Sequence, residues 1–217
     1  MGEVELNTQD LLLNIHADII FYGNAANDVL AKQIAADIAA HWNEAAAVIR
    51  INHEWYKINF LINGSYAATL TDIEVLENTD PRKNYFRIEE YASGNISFVD
   101  GINSNTGYFK LDNLLNNSTT AAHEFGHTLG LEHPENIDIR GAGEPGIMYP
   151  RGTIVDPHFQ YDPTAAPGST GGTMNPFTRK VLLKDIQDLH LDRLDFNANG
   201  FAVLGDFTSV WHEAHLP

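Results

Sequence analysis

The sequence predicts a single α+β domain, and three observations predict it. The apolar pattern of the N-terminal third alternates strand, helix and strand. The middle third adds short strands and then a second helix. The remainder is irregular, rich in proline and glycine, and recovers helical spacing only near its end.

Taken in order, Leu11 to Tyr22 is apolar and β-branched, and Gly23-Asn24 ends it. Asn27 caps a helix from Asp28 to Ala46, in which Val29, Leu30, Ile34, Ile38 and Trp42 recur at helical spacing. Val48–Ile51 and Tyr56–Ile62 read as strands, and Asn63-Gly64 as a turn. Tyr85–Tyr91 alternates, with Phe86 and Ile88 opposite Arg87 and Glu89, as a half-buried strand does. Ile96–Val99 and Tyr108–Leu111 follow, separated by the loop Gly101–Gly107. Ser118 or Thr119 caps a second helix, Thr120–Leu129. No periodic pattern survives between residues 134 and 176. So long an irregular stretch in a compact domain is functional or is held by something. Phe177–Phe196 returns to helical spacing through Val181, Leu182, Ile186, Leu189 and Leu194. The tail, residues 197–217, carries Phe201, Val203, Leu204, Phe207, Val210 and Trp211, too apolar a set to hang free.

With 217 residues and 43 % apolar content the chain can bury a sizeable core. Thirteen Lys and Arg against 29 Asp and Glu leave a net charge of −16. No basic face is available for phosphates, so nucleic acid is excluded, as is an anionic membrane surface. A cationic partner or plain solubility fits this balance. There is no cysteine. Disulfides, thiol nucleophiles and thiolate metal sites are therefore excluded, and any transition-metal site must use His and carboxylates. No apolar run is long enough to span a bilayer. Met1–Glu5 lacks the basic and apolar regions of a signal peptide.

The chemistry lies in residues 123–133, His-Glu-Phe-Gly-His-Thr-Leu-Gly-Leu-Glu-His. His123 and His127, four apart on a helix, project from one face about 6 Å apart along the axis. Both imidazoles can then bind one tetrahedral Zn²⁺. Glu124 lies beside the metal without being a ligand. His133 is six residues past His127; on a continuing helix it would sit about 9 Å further along and rotated by roughly 240°. The helix must therefore break, and Gly130 supplies the exit, since glycine adopts positive φ without steric cost. With 10 His and 17 Gly in 217 residues, chance produces these five positions on the order of once in 10⁴ such chains.

The segment resembles the long zinc motif of the metzincin clan of zinc endopeptidases. Gly146-Ile147-Met148-Tyr149-Pro150 is similar to the methionine turn of the matrix metalloproteinases, and His133-Pro134 to the serralysins, which places the chain between those two families. The resemblance covers residues 11–196 and is strong at 123–148. It implies a zincin fold: a twisted mixed sheet with two long helices above the zinc site, and an irregular lower subdomain ending in a C-terminal helix. The divisions would be 1–130, 131–196 and a C-terminal extension, 197–217. It implies one catalytic Zn²⁺ held by His123, His127 and His133, with Glu124 as general base for hydrolysis of peptide bonds. Gly130 and Met148 would support the site from below. Serralysins and astacins carry a tyrosine two residues after the methionine; here that position is Pro150, so no tyrosine ligand is expected.

The substrate implied is an extended polypeptide lying antiparallel to an edge strand. The segment offered for that edge is Tyr108-Phe109-Lys110-Leu111, with Tyr149 lining a pocket. The resemblance also implies a monomer, secreted or exported. An alternative route is the protease toxin module of a larger exported effector. A different class, a zinc-binding module that recognises without hydrolysing, has no use for Glu124. Asp100, Asn103, Asn105 and Asp112 offer oxygens to a structural Ca²⁺, which matrixins and serralysins use. His212-Glu213-Ala214-His215 has the wrong spacing for a zinc motif and reads as a solvated terminus, and His16, His41, His53, His158 and His190 as surface residues.

Overall fold

A computed structural model describes all 217 residues. It is a mixed α+β fold in which one curled sheet carries the helices. The eight strands are β1 (Gly2–Asn7), β2 (Leu12–Tyr22), β3 (Val48–Ile51), β4 (Glu54–Tyr66), β5 (Lys83–Glu89), β6 (Phe98–Val99), β7 (Thr106–Lys110) and β8 (Phe201–Leu204). The helices are α1 (Asp28–Glu44), α2 (Asp72–Leu76), α3 (Thr120–Thr128) and α4 (Leu183–Asp188). The main path runs β3-β4-β2-β5-β7-β6. β2 pairs in parallel with β4 and β5, and β5 with β7, whereas β3 and β6 close the two ends antiparallel.

β2 is long enough to pair two strands end to end along one edge. One edge of β2 pairs β1 from Leu12 to His16 and then β5 from Asp18 to Tyr22. β8 adds to the far side of β1. The tail beyond 196 is thus part of the sheet, as its apolar content requires. Neither β1 nor β8 shows a distinct strand signal in the sequence: β1 is half polar, and β8 is four apolar residues without alternation.

α1 starts where expected, with the Asn27 side chain accepting from Leu30 N–H at 3.0 Å. Its Ile34, Ile38 and Trp42 are buried against the sheet. The expected turn at Asn63-Gly64 is corrected: β4 runs straight through both residues to Tyr66. Gly64 is there because α1 crosses at that point. A Cβ on Gly64 would overlap the Ala31 carbonyl oxygen and press on Ala35. The glycine reports a close helix–strand approach, a tertiary fact that mimics a turn signal.

The alternation of β5 is present, but its polar face is not wet. Phe86 and Ile88 join Phe21 and Phe109 in the core. On the opposite face Arg87 and Glu89 are also buried and pair at 2.6 Å. The C-terminal tail covers them. Trp211 stacks on Tyr22 at 4.9 Å, the His212 carbonyl accepts from Arg87, and the His215 ring stacks on Tyr108 at 3.9 Å. The reading of His212–His215 as solvated is therefore corrected; His212 also pairs with Asp100 at 2.9 Å.

The closing helix is shorter than its periodicity suggested. Only Leu183–Asp188 is α-helical, flanked by single 3₁₀ turns at Pro176–Thr178 and Leu191–Arg193. His190 takes a left-handed conformation that breaks the run. No helix is long and apolar enough to cross a membrane.

The Gly64 contact makes a direct stability test. Gly64→Ala should destabilise the fold by about 1–3 kcal/mol, because the added methyl has nowhere to go between α1 and β4. For a chain of this size that lowers Tm by roughly 3–10 °C. An unchanged Tm in a calorimetric scan would mean that α1 does not cross β4 there.

Candidate metal centre

α3 is held rigidly before it presents any ligand. Its residues Ala121, Ala122 and Phe125 are buried, and the Trp42 indole of α1 donates to the Ala122 carbonyl at 3.0 Å. The ring of Trp42 meets Phe125 edge-on at 5.9 Å. Thr119, expected as a cap, gives its hydroxyl elsewhere: it donates to the Pro176 carbonyl at 2.7 Å. The Ser118 hydroxyl instead accepts from Thr120 N–H at 3.1 Å.

α3 ends as the motif demands. Gly130 has φ of 100°. Leu131 N–H donates to the Gly126 carbonyl at 3.0 Å and Gly130 N–H to the His127 carbonyl at 3.1 Å. Those two bonds are the Schellman closure, with glycine in the left-handed position. Asn103 packs against Gly130 so closely that a Cβ there would strike its amide oxygen.

Three imidazoles converge beyond this turn. His133 Nε2 lies 3.1 Å from His127 Nε2 and 3.1 Å from His123 Nε2. A tetrahedral ion with N ligands at 2.0–2.1 Å needs nitrogens about 3.3 Å apart. The tautomers suit such an ion. His123 Nδ1 lies 2.7 Å from the Ile147 carbonyl, and His127 Nδ1 lies 2.7 Å from the Leu131 carbonyl. A carbonyl only accepts, so each Nδ1 carries the proton and each Nε2 is bare. Bare lone pairs this close repel unless a cation lies among them. His123, His127 and His133 could therefore hold a metal ion. His123 and His127 are buried, whereas His133 is exposed, so the centre opens on the His133 side.

The electrostatics favour neutral ligands. Burial lowers the pKa of all three histidines, that of His123 most. Glu124 is 7 % exposed and lines the same cavities. Burial pushes its carboxyl up to about 8, against opposing pulls from the Arg179 charge and the Val99 backbone. A divalent cation nearby lowers it again.

The supporting residues also come together. Met148 is buried with its sulfur against Gly126, where a Cβ would displace it. The Asp185 carboxylate accepts from Leu182 N–H at 2.7 Å and Ile147 N–H at 3.4 Å, which anchors the segment whose carbonyl orients His123. Tyr149 lines a cavity of about 440 Å³ below His133 and packs towards Ile139, Val155 and Met174.

Two placements differ from expectation. β7 is an interior strand between β5 and β6, so Tyr108 and Phe109 are fully buried rather than at an edge. Lys110 is tied to Asp112 at 3.1 Å and to Asn95 at 2.7 Å. The edge is β6, and Ile96 to Val99 line a cavity of about 370 Å³ with His123, Glu124 and His133. The oxygens offered to calcium are engaged within the protein. Asp100 holds His212 and Thr106, Asn105 pairs with Ser209, and Asp112 pairs with Lys110. Asn103 instead closes α3, its N–H donating to the His127 carbonyl at 2.8 Å.

Sequence reasoning missed Arg179. It is 4 % exposed and shares a cavity of about 190 Å³ with His123, Glu124, His133 and Arg151. Lying 46 residues beyond His133, in the stretch read only for its helical spacing, it gives no local signal. The chain matches no model of a known protein family and no curated protein.

Glu124 generates a test that needs no metal. Its raised pKa means that the native chain holds a proton that the unfolded chain releases between pH 4.5 and about 8. Stability drawn from that group is therefore lost as pH rises through the window. In metal-free protein, Glu124→Gln should raise stability at pH 8 by on the order of 2 kcal/mol and change little at pH 4.5. Denaturant titrations at both pH values would show it. The histidines act oppositely: as pH falls below about 6.5, the unfolded chain takes up protons that the native site refuses, and the metal-free fold weakens.

Proposed function

We propose that this protein is a metal-dependent endopeptidase of the metzincin type, with zinc as its ion and extended polypeptide as its substrate. The observation that carries this reading is the convergence of three imidazole nitrogens, two of them bare, beside a buried carboxyl on an open cleft. A site built only for structure closes all four zinc positions with protein ligands; three leave one open.

An ion bound there supplies Lewis acidity, polarising a carbonyl and acidifying a water. The chain's own residues do the rest. Glu124 sits where it can take a proton from the attacking water and return it to the leaving amine, and burial raises its basicity for that work. His123 and His127 are locked in the ligand tautomer by the Ile147 and Leu131 carbonyls. β6 offers an unpaired strand edge along the cavity, to which a substrate chain can add by main-chain hydrogen bonds. The C-terminal tail favours hydrolysis over a closed binding module, since it packs on the opposite side of the sheet strands and lines neither cavity at the triad. Action outside the producing cell, alone or as part of a larger exported protein, is the setting that the metzincin resemblance suggests.

The test is cleavage of casein by wild type, Glu124→Ala and chelator-treated protein, with zinc measured on each. Wild type should cut and hold one zinc per chain. Glu124→Ala should hold the same zinc yet cut about 10²–10⁴-fold more slowly, the range for a lost general base. Zinc bound by wild type without any cleavage of unfolded proteins would defeat the reading.

A further inference from the structure

Arg179 is a buried cation with no ion pair, and the acidic group that acts on its charge is Glu124, in the same cavity. The protein contains two buried guanidiniums, and they are treated differently. Arg87 is neutralised by Glu89 at 2.6 Å. Arg179 makes no ion pair with any carboxylate, although the chain carries 29 acidic residues. Its position is fixed all the same. Nε donates to the Thr119 hydroxyl at 3.0 Å and one Nη to the Tyr149 carbonyl at 3.0 Å. The Thr119 hydroxyl is itself held by the Pro176 carbonyl. Three of its five N–H donors remain for whatever enters the cavity.

That cavity adjoins the candidate metal centre. His123, Glu124 and His133 form one side, and Thr120 and Pro150 another. Exposed Arg151 stands at the mouth, held only by a long 3.4 Å contact to Asn113. At about 190 Å³ it is smaller than a pocket for a whole small molecule and suits one side chain. Desolvation is expensive for a cation, and it drags the Arg179 pKa down to about 10 against the opposing pull of Glu124. An anion entering the cavity would meet those three donors directly. The planar fork of a guanidinium matches a carboxylate.

We propose that this cavity is the subsite for a carboxylate of the substrate, the side chain of an Asp or Glu flanking the scissile bond, gripped by Arg179 with Arg151 at the entrance. The proposal rests on the endopeptidase reading above and adds a substrate class to it. The residue is specificity-determining: it touches the substrate and takes no part in the proton transfers.

Two readouts separate this proposal from the parent one. The first is binding. Zinc-loaded Glu124→Ala and metal-free wild type are each titrated with fluorescent peptide pools identical except for Glu or Gln at one position, each with a free or an amidated C-terminus. The Glu pool should bind about 10-fold or more tighter than the Gln pool, whatever the C-terminus. Adding Arg179→Met should equalise the two pools, and Arg151→Gln, at an exposed position that the fold does not need, should narrow the gap about threefold. Equal binding of Glu and Gln pools to the parent proteins overturns the proposal, and a preference that follows only the free C-terminus overturns the side-chain assignment. The second readout is the set of new termini in a casein digest by wild type. Asp and Glu should be enriched at one fixed position beside the cut. Cleavage without that enrichment overturns the subsite and leaves the endopeptidase standing. Absence of cleavage with a Glu preference in binding keeps the subsite and defeats the parent reading.

Discussion

Everything at the histidine triad depends on how the chain leaves α3. Four-residue spacing puts His123 and His127 on one face without further help. His133 reaches them only if the helix stops within one turn. The Schellman closure at Gly130 does this, and it does more than redirect the chain. The first carbonyl after the closure, that of Leu131, is the one facing His127 Nδ1. The same turn therefore delivers the third imidazole and selects the tautomer of the second. Asn103 then seals the turn from outside, against a residue with no Cβ to obstruct it. A residue with a side chain at 130 would meet two penalties together, a strained φ and a collision, so these functions cannot be separated by substitution there.

The second feature is a concentration of unmet electrostatic demand. Three facing imidazoles, a carboxyl pushed up to about 8 and a guanidinium pushed down to about 10 share one cleft. An ordinary core would replace such groups with apolar ones at no loss of stability. Elsewhere in this chain buried polar groups are satisfied, as the Arg87–Glu89 pair beneath the tail shows. The cleft gathers several ionisable groups and closes no ion pair among them. Groups perturbed by burial and gathered in a cleft are what binding and catalysis require, and they gain partners when ligands arrive.

How much of this was legible in the sequence follows from the range of the forces involved. The metal motif was legible because its five positions lie within one helix and one turn, where spacing alone sets geometry. β2, α1 and α3 were legible for the same reason: their periodicity is long and clean. Gly64 misled because a glycine that admits a helix looks the same as one that makes a turn. Arg87 and Glu89 misled because alternation distinguishes two faces of a strand but cannot say whether a distant tail covers the polar one. The interior position of β7 was hidden in strand order, which no local pattern encodes. Arg179 was invisible for the plainest reason, since its partners Thr119 and Tyr149 lie 60 and 30 residues away.

The arginine also changes what the net charge means. A chain at −16 should repel acidic peptides, and from composition alone a cationic partner fits better. That repulsion acts through solvent and fades beyond about 8 Å at physiological salt. Inside the cleft the nearest basic charges are those of Arg151 and buried Arg179, in contact with whatever enters, so short-range attraction there outweighs the distant field. The two influences act at different stages. The overall field governs how often an acidic segment approaches, and the cavity governs what holds once the segment is seated. Salt should therefore favour acidic substrates by weakening the first influence while leaving the second nearly intact, the reverse of what screening does to an exposed basic groove.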